Sequence, residues 1–257
     1  MSFAGRSALI TGAASGIGAA VAQWLGSQGI AELALVDLDT AGMAALGLPC
    51  QTRCFAGDVA DPALWERIEV ELPRLDHALI NAGVANGGAL TGLEFAEWRR
   101  ILSINLNGVF LALRSALRIM QRDPGAKSPG TKSIVLTSSA VGVKPVAQTA
   151  AYGTSKAGVI HLARIAAAEH LADGIRVNAV APGRVETPIW TKTDHFKALE
   201  AKLGSREAAL AAVATEQRVP GDFITAEVLA GQIGWLLSDE AENITGTVLS
   251  SDGGYTL

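Results

Sequence analysis

Tyr152 and Lys156 stand four residues apart in the run Ala-Ala-Tyr152-Gly-Thr-Ser-Lys156-Ala-Gly. A phenol is a poor base at neutral pH, because its ordinary pKa is about 10. On a helix, positions i and i+4 share a face, so this spacing predicts the Lys156 ammonium beside the Tyr152 oxygen. A neighbouring cation favours the phenolate. A drop of about 3 units requires about 4 kcal/mol of differential stabilisation. It would bring Tyr152 into range for acid–base work near pH 7.

The elements around the pair follow from alternating apolar runs and amphipathic stretches. Strands are predicted over 7–10, 32–36, 51–56, 78–81, 133–137, 176–181 and 247–250. Helices are predicted over 17–28, just after Thr40, and over 62–71, 97–122, 149–171 and 226–237, with Pro62 at an N-terminal position. Strands alternating with helices imply βαβ units, hence an α/β fold with a parallel, doubly wound sheet. Right-handed crossovers put a cofactor crevice at the carboxyl ends of its strands. Residues 123–132, rich in Pro, Gly, Lys and Ser, read as an exposed loop. Residues 184–221 are long for a strand-to-helix connection and carry helical stretches at 196–203 and 206–217, which reads as a substrate lid. No linker splits the chain, so residues 1–257 are expected to form a single cofactor-binding and catalytic domain.

Composition narrows the function classes. The 257 residues are 49% hydrophobic and carry a net charge of −4, which fits a well-cored globular protein and gives no basic footprint for nucleic acid. The start runs directly into a strand and resembles neither a signal nor a transit peptide. No apolar run nears the ~18 residues of a membrane span. A cytoplasmic location is expected. Cys50 and Cys54 are too few for a structural zinc site and read as reduced thiols, and no metal is expected.

The run Thr11-Gly12-Ala13-Ala14-Ser15-Gly16-Ile17-Gly18 follows the first strand and opens the first helix. Glycines allow a sharp turn and close backbone approach to a pyrophosphate, and the helix N-terminus offers N–H groups to it. Asp37 ends the second strand about 20 residues beyond the loop. A carboxylate there bonds both ribose hydroxyls of an adenosine and repels a 2′-phosphate. No Arg or Lys lies in residues 13–15 to offset that repulsion, so NAD(H) is predicted over NADP(H). Asp37 or Asp39 could also cap the next helix. Asp58-Val59, at the end of the third strand, has two readings: an adenine contact, or a capped turn before Asp61-Pro62.

Together with Asn81-Ala82-Gly83, Asn105, Ser139 and Pro182-Gly183-Arg-Val185-Glu-Thr187, these motifs resemble the short-chain dehydrogenase/reductase family, in its single-domain branch. The resemblance covers nearly the whole chain. It implies a three-layer Rossmann-like fold with seven parallel strands flanked by helices. It implies that Tyr152 exchanges a proton with the alcohol or carbonyl oxygen, and that Lys156 bonds the nicotinamide ribose and lowers the Tyr152 pKa. Ser139, thirteen residues before the tyrosine, would bond the reacting oxygen, which leaves Ser138 aside. The Asn105 side chain would hold a water that links Lys156 to solvent; a satisfied interior amide is the other reading. Asn81, Ala82 and Gly83 would brace the sheet near the adenosine ribose, with Ile80 standing where many members have a second Asn. Pro182, Gly183, Val185 and Thr187 would hold the carboxamide, with transfer of the pro-S hydrogen.

The resemblance leaves the substrate open. Val141, Val146, Gln148, Arg184, Trp190 and His195 are the pocket candidates, with Arg184 and His195 expected to be solvated. A secondary alcohol and its ketone fit the chemistry. The alternatives are a 3-oxoacyl thioester reductase and a non-catalytic NAD(H)-binding protein on the same fold. The family also implies a homotetramer, or else a dimer, built on the helices at 97–122 and 149–171. Ala157, Ile160, Arg164, Ala167 and Ala168 are expected to pack against the other copies, and Tyr255 is expected near a neighbouring subunit.

Overall fold

A computed structural model of the chain describes residues 1–85, 87–122, 132–191, 194–216 and 223–257. The seven strands are β1 (Ser7–Thr11), β2 (Glu32–Asp37), β3 (Gln51–Ala56), β4 (His77–Ile80), β5 (Lys132–Thr137), β6 (Ile175–Pro182) and β7 (Val248–Ser251). They form one sheet in the order β3-β2-β1-β4-β5-β6-β7, with every neighbouring pair parallel. The chain winds outward from β1 to β3, then returns to the other side of β1 with β4. That reversal opens a crevice at the carboxyl ends of β1 and β4.

The strands alternate their side chains between two apolar layers, as a pleat of period two requires. Leu9, Ala78, Ile80, Ile134 and Leu136 enter the layer shared with α3 (Pro62–Glu71), α5 (Val109–Arg122) and α7 (Ala150–Glu169). Ala8, Ile10, Leu79, Val135 and Val180 enter the layer shared with α1 (Gly16–Ser27) and α11 (Ala226–Leu237). The fold is therefore a three-layer Rossmann-like α/β sandwich. Asp39 caps α2 (Thr40–Ala44) by accepting from Gly42 N at 2.9 Å, so the capping role belongs to Asp39.

The helix predicted over 97–122 is interrupted. It begins as α4 (Phe95–Leu102), widens into a π-helical turn at Ser103–Gly108, and resumes as α5. The wide turn points Asn105 inward. Such turns inside helices recur at functional sites. The stretch predicted as a lid contains α8 (Pro188–Thr191), α9 (Asp194–Leu203) and α10 (Arg206–Glu216). These helices enclose a small core of Phe196, Ala209 and Val213, against which Trp190 and Phe223 pack. The sequence reading missed both α8 and α6 (Ala140–Val143), which are only four residues long. The predicted loop at 123–132 lies outside the described residues except for Lys132, which opens β5.

Two of the five residues expected at an oligomer interface are buried within the chain itself. Ile160 and Ala167 are buried, Ala167 in the apolar layer between α7 and the sheet, while Ala157, Arg164 and Ala168 are exposed. Among the described residues, no helix is long and apolar enough to cross a membrane.

Candidate active site

One cleft of about 1350 Å³ runs along the carboxyl ends of the strands and under α8. Gly12, Ser15, Gly16, Ile17, Asp37, Asp58, Val59, Asn81, Ala82 and Gly83 line one part of it. Ser139, Tyr152, Lys156, Pro182, Gly183, Val185 and Thr187 line the rest, together with Val141, Val146, Gln148 and Trp190.

The glycine loop is shaped by close packing. Gly12 (φ 66°) and Gly16 (φ 55°) occupy the left-handed region. A Cβ on Gly12 would stand 3.0 Å from Ala82 Cα, so the β1 and β4 turns touch through bare backbone. Ser15 precedes α1, yet its side chain makes no capping bond, which leaves the first-turn N–H groups to a ligand. Gly18 has a different place from the one the sequence suggested. It does not line the cleft: a Cβ there would collide with the Gly12 carbonyl, so Gly18 lets the helix pack on the loop from behind.

Thr11 ties the two turns together. Its hydroxyl accepts from Asn81 N at 2.8 Å and Ala82 N at 3.0 Å, and the Asn81 amide donates to Thr11 O at 3.3 Å. Asp37 Oδ2 accepts from Ala14 N at 3.0 Å and Oδ1 from Asp39 N at 3.0 Å. The backbone thus holds the carboxylate at the cleft rim with lone pairs to spare. Asp58 combines its two readings: Oδ1 accepts from Ala60 N at 2.9 Å as a turn residue, while the residue also lines the cleft.

At the catalytic end, α7 carries Tyr152 and Lys156 on one face. The lysine lies over the tyrosine ring, as the i, i+4 spacing predicted, and bonds a backbone carbonyl of β5. Its Nζ donates to Thr137 O at 2.9 Å and lies 5.7 Å from the centre of the Tyr152 ring. Burial dominates both groups. It pushes the Tyr152 phenol above its ordinary range, and only the hydrogen bond with Ser139 opposes this. Burial also lowers Lys156 to about 8. In the cofactor-free cleft burial therefore outweighs the expected lowering of Tyr152, and the group that opposes it is Ser139. Ser138 serves the fold instead. Its hydroxyl donates to the Lys156 carbonyl at 2.7 Å and locks α7 to β5.

Asn105 is fully buried, and its amide is engaged on both sides. Oδ1 accepts from Val84 N at 2.8 Å, while Nδ2 donates to Val84 O at 2.8 Å and to Ser155 Oγ at 3.3 Å. The side chain is a brace for the turn after β4, which corrects the picture of a side chain spent on a relay water. Gly83 sits between the two groups: a Cβ there would lie 3.2 Å from Asn105 Oδ1 and 3.4 Å from Lys156 Nζ.

Arg184 also departs from expectation. It is buried, with its guanidinium 5.9 Å from the centre of the Phe223 ring, because Val185 pairs with Ile224 and draws the chain inward. Trp190 meets Phe223 edge to face at 5.5 Å. The side chain of His195 lies outside the described residues. Gln148 has φ 68°, and its carbonyl accepts from Gly88 N at 2.9 Å. Phe223, Thr137, Gln232 and Tyr255 line the cleft as well. Sequence reasoning did not find Phe223, Thr137 or Gln232 and did not place Tyr255 in the cleft, because no local pattern marks any of them.

A nicotinamide dinucleotide fits this cleft. The first-turn N–H groups that Ser15 leaves uncapped would meet its phosphates and Asp37 would face a ribose, while the buried Thr137 Oγ1 and Gln232 Oε1 lack hydrogen-bond partners among the described residues.

Residues 12–256 match the family described as enoyl-(acyl carrier protein) reductase. A curated relative is cis-4-hydroxycyclohexanecarboxylate dehydrogenase of Sinomonas cyclohexanicum, 36% identical over 99% of this chain and 98% of that protein. Among solved structures, levodione reductase superposes with a TM-score of 0.82 at 30% identity, covering 99% of this chain and 98% of the other. L-sorbose reductase of Gluconobacter frateurii, solved with NADPH and L-sorbose, gives a TM-score of 0.88 at 25% identity, over 100% and 98%. The sheet order, the cleft at its carboxyl edge, the Ser139–Tyr152–Lys156 group and this full-length similarity make one case: the chain belongs to the short-chain dehydrogenase/reductase family, as a single-domain member.

Proposed function

We propose that this protein is a cytoplasmic oxidoreductase that interconverts a secondary alcohol and its ketone with NAD(H), using Tyr152 as general acid and base. The observation that carries the reading is the convergence of Ser139, Tyr152 and Lys156 at one end of a cleft whose other end is the glycine loop and Asp37. The alcohol or carbonyl chemistry named in the relatives supports it.

The nicotinamide, when bound, supplies the hydride donor or acceptor. The protein residues handle the oxygen and its proton. Tyr152 keeps its proton in the buried cleft and delivers it from Oη to the carbonyl oxygen during reduction; in oxidation it takes the proton back. Ser139, already bonded to the phenol, holds the same oxygen and stabilises charge that develops there. Lys156 is a cation at pH 7, since its pKa of about 8 lies above that. Its ammonium favours negative charge on the phenol during transfer. Asn105 fixes the Val84 turn that bounds this end of the cleft. Pro182, Gly183, Val185 and Thr187 are assigned to the carboxamide side, and Asn81, Ala82, Asp58 and Val59 to the adenosine side. Residues 184–221 act as the substrate lid. The exposed faces of α5 and α7 are assigned to a homotetramer.

Asp37 decides between cofactors. Its carboxylate would face a 2′-phosphate as a like charge, and such juxtapositions cost several kcal/mol. Catalytic efficiency with NAD should exceed that with NADP on the order of a hundredfold, and Asp37→Ser should shrink the ratio. Equal use of both, or a preference for NADP, would refute the assignment.

A further inference from the structure

The segment after β7 turns back into the cleft. Gly253 (φ 62°) and Gly254 (φ 87°) permit the reversal. The Asp252 carboxylate then gathers the turn, accepting from Gly254 N at 3.0 Å, Thr256 N at 3.1 Å and Thr256 Oγ1 at 2.6 Å. Gly183 holds the turn from the other side: its N–H donates to Ser251 O at 2.9 Å, and a Cβ on it would stand 2.9 Å from Asp252 Cα.

Lys144 completes the fastening. It closes α6, the short helix that Ser139 opens. Its Nζ donates to Tyr255 O at 2.9 Å and lies 5.0 Å from the centre of the Tyr255 ring. The catalytic serine, α6 and Tyr255 are thereby one mechanical unit. The chain has two tyrosines, and both line the cleft. Tyr255 shares its lining with Val141, Trp190 and Phe223, and the last two are already packed edge to face.

An aromatic wall whose backbone is tied down before binding loses little freedom when a ligand packs on it. A secondary alcohol within a ring must sit on a saturated carbon, so the ring it favours is alicyclic. We propose that Tyr255 is a specificity-determining residue for a secondary alcohol carried on an alicyclic ring, and that Lys144 is the positioning residue that holds Tyr255 in the cleft. This rests on the alcohol/ketone reading above.

The test compares catalytic efficiency on cyclohexanol and propan-2-ol. Tyr255→Ala should lower the cyclohexanol-to-propan-2-ol ratio roughly tenfold, the effect of losing one ordered aromatic contact. Tyr255→Phe should keep the ratio. Lys144→Met retains the stem without the charge; it should lower the ratio a few-fold through KM and not kcat, and Lys144→Arg should restore it. The dissociation constant of NADH should stay the same throughout. An unchanged ratio in Tyr255→Ala, or in Tyr255→Leu where the alanine variant does not fold, overturns the proposal. If the wild type oxidises neither alcohol, the alcohol/ketone reading is what has failed. The wall is then read by binding: tryptophan quenching should show cyclohexanone binding weakened more than acetone by Tyr255→Ala, and equal weakening overturns the proposal.

Discussion

The two ends of the sheet treat polar groups in opposite ways. At the amino end, charges and dipoles are consumed internally. Arg6 forks onto Asp239, with Nη1 at 2.8 Å from Oδ1. Asp76 accepts from Ser7 N at 2.8 Å, Ser7 Oγ at 3.0 Å and Arg74 at 2.7 Å. Arg176 donates to the carbonyls of Leu236 at 2.8 Å and Ser238 at 2.9 Å, which satisfies the C-terminal end of α11 and suits its dipole. Ser133 gives its only proton to Leu237 O at 2.7 Å, so at 2.9 Å it must accept from His77 Nδ1. That sets the tautomer of a histidine that burial has pushed down to about 3. At the carboxyl end, by contrast, Thr137 Oγ1 and Gln232 Oε1 stay unbonded among the described residues, Lys156 is buried at a cost to its charge, and Gln148 is left-handed. The same strands are anchored at one end and kept open for a ligand at the other, and the open end gives up stability for function.

Four substitutions test this contrast. Tyr152→Phe removes only a proton donor. Efficiency should fall about 10²–10⁴-fold, while the melting temperature and NADH affinity hold. A rate within tenfold of the wild type would remove Tyr152 from the mechanism.

Arg176→Met should do the reverse. Stripping charged donors from buried carbonyls should cost about 2–4 kcal/mol of stability, seen as a lower urea midpoint, with kcat of the folded protein retained. A large loss of kcat at full stability would mean the amino end is not a passive anchor.

Lys156→Met sharpens the trade at the open end. Lys156 ionises at about 8 in the fold against an ordinary 10.5. Between these values the unfolded chain binds a proton that the folded chain has released. The cofactor-free protein should therefore gain stability from this group as pH rises from about 8 to 10.5, and bear the full penalty below 8. The methionine variant should lose that slope and be more stable at pH 7 by about 1–3 kcal/mol, yet turn over poorly. Urea titrations at pH 7, 9 and 10.5 read this directly, and a slope that survives the substitution would show that another group sets it.

The smallest effect is expected at Gln148. Glycine accepts φ 68° without strain, so Gln148→Gly should raise stability by up to about 1 kcal/mol while raising KM for the alcohol. A variant no more stable than the wild type would show that this turn stores no strain.

Much of this architecture could be read from local pattern. Strand periodicity gave the sheet, and the glycine run gave the β1–α1 turn. The family resemblance, not local pattern, pointed to Ser139 over Ser138, whose hydroxyl bonds a backbone carbonyl instead. The errors share a cause. The break at Ser103–Gly108 keeps helical periodicity on both sides, so nothing local announces it. Arg184 looked like a loop charge because arginine is rarely buried, and only the pairing of Val185 with Ile224 carries it inward.

The sequence alone determined most of the elements, their order and the placing of Tyr152 and Lys156 on one helix, because periodicity, turn chemistry and i, i+4 spacing are properties of short stretches. Only the tertiary structure decided what those groups meet. Lys156 turns to the Thr137 carbonyl, Ser139 bonds Tyr152, Asn105 braces Val84, and Tyr255 enters the cleft. Each depends on chains that approach from far along the sequence. Each also depends on the removal of water, which here outweighs the neighbouring charge in setting the state of Tyr152 and Lys156.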